Sequence, residues 1–296
     1  MSTISVVVLA YNRPRLLAEA LAGVAAQRRV PDEVLVIDDH SEPPLIAPGA
    51  RLIRQPVNRG PSAAAARGIA EARGEAIAFL NDDDVWTPDL LAELEAGLEA
   101  HPEACMAFCD HGVIDADGAD RPDLAEEVSA RYRRTRLDSG PVDLRRAALV
   151  DQSVPAASFA LTRRDALSPA LVRAGGEAWD YFVGVGAALT GRPGVYVDRR
   201  LGWYRLSAEG VSAGWKRPER GIALRARRIA AARVALASPA AEGVRGAVAR
   251  NAARDGASAL KVALRPRPSH SWRPVLVYYS RELTRAIVCP CRAPPR

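Results

Sequence analysis

Cysteine and aromatic residues are scarce in this 296-residue chain: four cysteines, and 5% aromatics. Four cysteines are too few for a disulfide scaffold at this length. Cys289 and Cys291 have no second Cys or His pair nearby, which makes them an incidental pair rather than a metal site. Cys105 and Cys109 lie in the apolar run ACMAFC and read as small buried hydrophobes. The four histidines, His40, His101, His111 and His270, are scattered and suggest no ligand set. No run approaches the 18 apolar residues of a membrane span. The start, MSTISVVVLAYN, lacks the basic opening and long apolar stretch of a secretory signal, so the expected compartment is the cytoplasm. Other signatures are missing too: no Gly-x-Gly-x-x-Gly after the first strand, no P-loop, and no nucleophile elbow.

What is present is a hydrophobic content of 48%, enough for a large core, and a net charge of +6. Charge of that sign can attract nucleic acid, anionic membranes or phosphate-rich substrates. The excess base lies from Lys216 onward, in an Ala/Arg-rich segment that should be helical with breaks near Pro239 and Gly256. Its arginines read first as a solvated face. A basic arm resting on an anionic membrane, at the inner face, is the second reading. Nucleic acid is disfavoured, because the segment lacks the interleaved aromatics of a stacking surface.

Apolar runs rich in β-branched residues mark buried strands at ISVVVLA (4–10) and EVLVI (33–37), with shorter ones at RLIR (51–54) and EAIAFL (75–80). Between them fall a helix opened by Pro14, an Ala-rich helix after the turn VNRGP, and a helix from about Pro88 to His101. Alternation of this kind predicts a mostly parallel sheet with helices on both faces. Ligands then bind outside the carboxyl ends of the strands. Three strands end in polar clusters there: Tyr11-Asn12-Arg13, Asp38-Asp39, and Asn81-Asp82-Asp83-Asp84. Adjacent carboxylates repel one another. Without nearby Cys or His they suit a hard cation, Mg²⁺ or Mn²⁺, shared with substrate phosphates. The plainer alternative is a solvated turn before the next helix.

The blocks SVVVLAYNRP, VLVIDDHS and NRGPSAAAARGIAEARGEAIAFLNDDDVW, in this order and spacing, resemble family 2 glycosyltransferases of the GT-A fold over roughly residues 3–115. The likeness continues more weakly through SFALTRRDAL, GGEAWDYF and VYVDRRLGWYRLSAEGVS. It implies an α/β GT-A domain over 1–215, with a nucleotide-binding half at 1–115 and an acceptor half at 116–215. The helical region 216–296 is then an appendage.

The resemblance also implies an inverting sugar transfer from a nucleotide-diphosphate sugar, most often UDP-linked, to an acceptor hydroxyl or amine, with Mn²⁺ or Mg²⁺. Ala10, Tyr11 and Arg13 would line the nucleoside pocket, and Asp39 would accept a hydrogen bond from the base. Arg67 would sit near the nucleotide, and Arg205 would help hold the diphosphate. Asp82 would lie nearer the ribose, and Asp83 or Asp84 would hold the metal. Asn81 stands where the commonest family pattern has an acid. Ser207 stands where many relatives have a His. The position most often credited with the general base is Ala178, which leaves Asp180 as the first choice and Glu177 as the second. A plainer reading makes Trp179 and Phe182 core residues and Asp180 a helix cap. Two functions stay open: an active transferase, or a nucleotide-binding module without an efficient base. The acceptor and the oligomeric state, a homo-oligomer included, are open as well.

Overall fold

β1 (Ile4–Ala10) is buried at every position, as its unbroken run of β-branched residues requires of a central strand. In the computed structural model, which describes residues 2–206 and 218–263, it lies between β2 (Glu33–Asp38) and β4 (Ala76–Asn81), parallel to both. β3 (Arg51–Arg54) adds a parallel edge beyond β2. Ala10 sits opposite Asp38, and Leu9 opposite Asn81, so all three polar clusters emerge at one edge.

The helices between these strands start where the sequence suggests. α1 (Pro14–Ala25) and α2 (Pro61–Glu71) each open on a proline, whose missing N–H costs nothing in a first turn. α2 buries Ser62 to Ala66, Gly68 and Ile69. These small side chains let the helix lie close to β1. A Cβ on Gly68 would come within 2.3 Å of Val7 Cγ1, so alanine there would push helix and strand apart. α3 (Leu90–Ala100) buries Leu90, Leu91, Leu94 and Leu98. With Val6, Val8, Leu17, Val24 and Leu80 they form one hydrophobic cluster. Each such side chain contributes roughly 1.5–3 kcal/mol when fully buried.

Among the described residues the sheet has nine strands. After β4 the order continues through β8 (Ala160–Arg163), β6 (Met106–Ile114) and β9 (Gly194–Arg205) to β5 (Val85–Trp86), with β7 (Gly140–Val142) also on β9. Here the pairing is mixed. β8 runs antiparallel to both β4 and β6, while β6 and β9 are parallel. The cause is local. The turn Ala157–Phe159 before β8 is hydrogen-bonded to the loop after β4. β8 therefore enters at the carboxyl edge and runs back down the sheet. α4 (Pro122–Arg131), α5 (Pro169–Ala174) and α6 (Trp179–Leu189) complete this part of the chain.

The described residues form two compact units, divided near residue 208. In the second, α7 (Pro218–Ala237) and α8 (Arg245–Ala263) flank a short turn at Pro239–Ala241, capped by the Ser238 hydroxyl. Arg228 Nε pairs with Asp255 at 3.1 Å. The break at Pro239 is the expected one, whereas α8 runs through Gly256 without interruption. Among the described residues no helix is long and apolar enough to cross a membrane. Ser207, His270, Cys289, Cys291 and the final APPR lie outside them.

Candidate active site

The three acids leave β4 in one turn but occupy different surroundings. Asp82 is buried and accepts the Tyr11 backbone N–H at 3.0 Å and Arg13 Nη1 at 3.1 Å. The side chain of Asp83 keeps 16% of its surface and accepts the same Arg13 nitrogen at 2.7 Å. Asp84 is 1% exposed. Its Oδ2 accepts the Ser158 hydroxyl at 2.6 Å and the Asn81 amide at 3.0 Å, and its Oδ1 accepts the Arg205 backbone N–H at 3.2 Å. Burial and the neighbouring Asp83 charge push Asp82 up to about 6 and Asp84 up to about 8. Burial also raises Asp83. Burial therefore biases these carboxyls toward their protonated forms, against the opposing pull of the Arg13 charge on Asp82 and Asp83.

Asn81 departs from the common acidic pattern for a reason visible here. Its amide donates to Asp84, whereas a carboxylate in its place would add a fourth like charge. Two partners of this loop went unrecognised in the sequence. Ser158 lies in the SFALTRRDAL block and binds Asp84 through its hydroxyl, while its carbonyl accepts Trp86 Nε1 at 2.6 Å. Glu19 on α1 accepts Arg205 Nη2 at 2.7 Å. No local pattern signals either residue, because each partner is more than seventy residues away in sequence. Arg205 itself is 3% exposed, and its Nε donates to the Asp83 carbonyl at 2.9 Å. It braces the acidic turn from beneath, and its guanidinium is occupied by protein acceptors.

Opposite the acids, Ala10 ends β1 and Tyr11 stands 45% exposed beside it. Asp39 is buried. Its Oδ1 accepts Gln55 Nε2 at 2.6 Å and the Arg59 N–H at 2.9 Å, and its Oδ2 accepts the Gly60 N–H at 2.8 Å. It thus fixes the turn that opens α2, where Gly60 has φ of 81°, a backbone that favours glycine. Tyr11, Arg13, Asp39, Asp82 and Asp83 come together at one edge. Arg67 does not join them. It is exposed and pairs with Glu71 at 2.7 Å, and Glu71 in turn reaches Arg51 at 3.3 Å. Glu71 ends α2 and Arg51 begins β3, so this chain of charges runs along the sheet edge remote from the acids.

The acidic block GEAWD straddles a short turn, Gly176–Ala178, and the start of α6. Ala178, Trp179 and Phe182 are buried. Trp179 packs edge-on against Phe79 of β4, with ring centroids 5.2 Å apart. Glu177 is exposed. Asp180 lies in the first turn of α6, partly shielded from solvent, and accepts the Tyr181 N–H at 2.8 Å. Burial raises its pKa above the ordinary carboxylate range.

Beside the acidic turn lies a second buried polar group. His111 stacks on Phe159 at 4.6 Å and meets Arg134 through Nε2 at 3.3 Å. Arg134 Nε pairs with Asp110 at 2.6 Å, and Asp110 also accepts the Ser129 hydroxyl at 2.5 Å. Burial, then the Arg134 charge, lowers His111 to about 4. Burial raises Cys109 to about 12 and also lifts Cys105, so both are unreactive core thiols.

The chain matches the family described as Glycosyl transferase family 2 over residues 5–168. It belongs to that family. Among curated relatives, succinoglycan biosynthesis protein ExoO of Rhizobium meliloti is 36% identical over 141 residues, which is 45% of this chain and 40% of ExoO. The family 2 chain thus matches less than half the length of such relatives. Among solved structures, S. aureus TarS 1–349 in complex with UDP-GlcNAc gives a TM-score of 0.65 at 16% identity, covering 96% of this chain and 81% of that one. The mannosyltransferase PcManGT of Pyrobaculum calidifontis, in complex with GDP-Man and Mn²⁺, gives 0.55 at 18%, covering 97% and 86%. These likenesses establish the GT-A fold expected from the sequence.

Proposed function

We propose that this family 2 chain transfers a sugar from a nucleotide-diphosphate donor to an acceptor hydroxyl or amine, with inversion and with Mn²⁺ or Mg²⁺ bound beside Asp83. One observation carries the reading. Asp82 and Asp83 converge with Tyr11 and Arg13 at the carboxyl edge of parallel strands, where such folds bind ligands. The donor set fits a hard cation: carboxylate oxygens whose mutual repulsion a divalent ion would relieve. Asp83 suits the ligand role better than Asp84, whose oxygens are committed to Ser158, Asn81 and Arg205. Among the described residues no three His, Cys, Asp or Glu side chains form a metal cage. A cation here would draw on one or two carboxylates and on the donor's phosphates, as Mg²⁺ commonly does.

Each residue then has a task. Tyr11, with Ala10 beneath it, offers the nucleoside a partly exposed ring. Asp39 holds the α2 turn that shapes the far wall, and Asp82 fixes Tyr11 through its backbone. Asp180 takes the proton from the acceptor as it attacks, its raised pKa favouring proton capture. A cation held beside Asp83 would supply Lewis-acid stabilisation of the leaving diphosphate. UDP is the favoured nucleotide, since the family commonly uses it and TarS was solved with UDP-GlcNAc. ExoO and the O-antigen biosynthesis protein RfbC of Myxococcus xanthus carry names that favour a saccharide acceptor.

Incubating the protein with UDP- and GDP-sugars, with and without Mn²⁺, and measuring nucleoside-diphosphate release tests the proposal. Cation-dependent release from one donor supports it. Nucleotide binding with no turnover on any donor and acceptor panel would leave only the binding-module reading.

A further inference from the structure

A single guanidinium nitrogen does at this site what a metal ion would do. Arg13 Nη1 bridges two different carboxylates, Asp82 Oδ1 at 3.1 Å and Asp83 Oδ2 at 2.7 Å. The backbone that carries it is pinned on both sides. Asn12 takes a left-handed φ of 54°. Its N–H donates to the Ser41 hydroxyl at 2.9 Å, and its side-chain oxygen accepts the Glu42 N–H at 2.8 Å. The corner is fixed, and the Arg13 side chain keeps 29% of its surface open. The other nearby arginine is differently engaged: Arg205 spends its guanidinium on the Asp83 carbonyl and on Glu19.

We propose that Arg13 is a built-in counter-cation: it pairs with Asp82 and Asp83 and would be displaced from Asp83 when a divalent ion binds there. This inference rests on the reading of Asp83 as a cation ligand. Two consequences follow from charge alone. Cation uptake is an exchange rather than the filling of a bare acidic hole, so the acids stay compensated before the ion arrives. The displaced guanidinium remains tethered beside the site with its charge unpaired, ready for an anionic donor. Cation and nucleotide therefore favour each other's binding, and by linkage each does so to the same extent.

The sign of one affinity change separates this role from an ordinary positioning role. If Arg13 competes with the ion, removing its charge tightens cation binding. If it merely organises the acids, removing it loosens binding. Mn²⁺ binding to the full chain without nucleotide is read from the electron paramagnetic resonance of free Mn²⁺, for the parent, Arg13→Gln and Arg13→Lys. We expect Arg13→Gln to bind about tenfold tighter, the scale on which a neighbouring charge shifts ionic equilibria at short range, and Arg13→Lys to stay near the parent. UDP should then enhance Mn²⁺ binding less in Arg13→Gln than in the parent. Unchanged or weaker Mn²⁺ binding by Arg13→Gln overturns the proposal while leaving Asp83 as a ligand. A parent that binds no Mn²⁺ at all overturns both. Should Arg13→Gln not fold, the ¹⁵N-arginine spectrum of the parent decides, with the Arg13 resonance identified by its loss in Arg13→Lys. A shift on adding Mg²⁺ supports displacement, and an unmoved resonance refutes it.

Discussion

The Ser158 hydroxyl lies 2.6 Å from Asp84 Oδ2 and accepts the Asn81 backbone N–H at 3.2 Å. One buried oxygen thereby joins the end of β4 to the start of β8 across more than seventy residues. Together with the Arg205 N–H on Asp84 Oδ1, it converts the third acid of the triplet into an internal strut. The three adjacent aspartates thus separate by environment. Asp82 holds the Tyr11 turn, Asp83 faces the solvent side, and Asp84 ties β4, β8 and β9 together.

Asp83→Asn and Asp84→Ala should therefore fail in different ways. Asp83→Asn should lose Mn²⁺-dependent UDP binding, followed by calorimetry, with little change in thermal unfolding. Asp84→Ala leaves Ser158, Asn81 and the Arg205 N–H without their acceptor, and stranded buried donors cost about 1–3 kcal/mol. It should unfold at lower denaturant than the parent. Equal loss of UDP binding in both variants, with neither destabilised, contradicts the division.

Asp39 also carries more structure than its motif suggests. Its carboxylate takes three protein donors, Gln55 Nε2 and the N–H groups of Arg59 and Gly60. Asp39→Ala should lower stability by about 1–3 kcal/mol and weaken UDP binding through a loosened α2 turn. Asp39→Asn, which keeps one acceptor oxygen, should restore much of the stability. A variant with unaltered unfolding and abolished UDP affinity would assign Asp39 to the nucleoside alone.

The legible part of this fold was the part encoded by neighbours in sequence. β1, β2, β3 and β4 announce themselves as short apolar runs, and the polar clusters that end them fall on one edge because the strands are parallel. What could not be read was set by contacts distant in sequence. The reversed direction of β8 depends on Ser158 docking at the acidic turn. The inward commitment of Arg205 depends on Glu19, on the far side of the chain order. Arg67 shows the converse limit: its helix was foreseen, but Glu71, one turn on, draws the side chain away from the acids.

His111 gives the second half of the domain a pH dependence. It titrates near 4 in the folded chain against an ordinary 6.5. Between those values the unfolded chain binds more protons, so stability falls as pH drops from 6.5 toward 4 and is fully present above 6.5. The shift corresponds to something on the order of 3 kcal/mol. Denaturant unfolding at several pH values should show a shallower acid loss in His111→Gln than in the parent. Parallel curves would mean that the imidazole has the same pKa in the folded and the unfolded chain.

Asp180 is the group on which turnover should depend. It opens α6 beside Trp179, which packs on Phe79 of the strand leading into the acids. A helix start stabilises a carboxylate, yet burial outweighs that effect here and raises its pKa. A carboxylate so placed binds a proton more readily than a solvated one, as a base must when the acceptor gives up its proton in the transition state. Glu177, exposed on the preceding turn, lacks that shielding. Asp180→Asn keeps the shape and removes the basicity, so kcat should fall by roughly 10²–10⁴ while the affinity for UDP stays near that of the parent. Glu177→Gln should lose far less. The kcat profile of the parent should rise with pH through a value above the usual carboxylate range, as the base ionises, and the rise should be absent from the residual rate of Asp180→Asn. If Glu177→Gln abolishes turnover and Asp180→Asn does not, the base is Glu177. If neither variant is impaired, the GEAWD block serves as core and helix start alone.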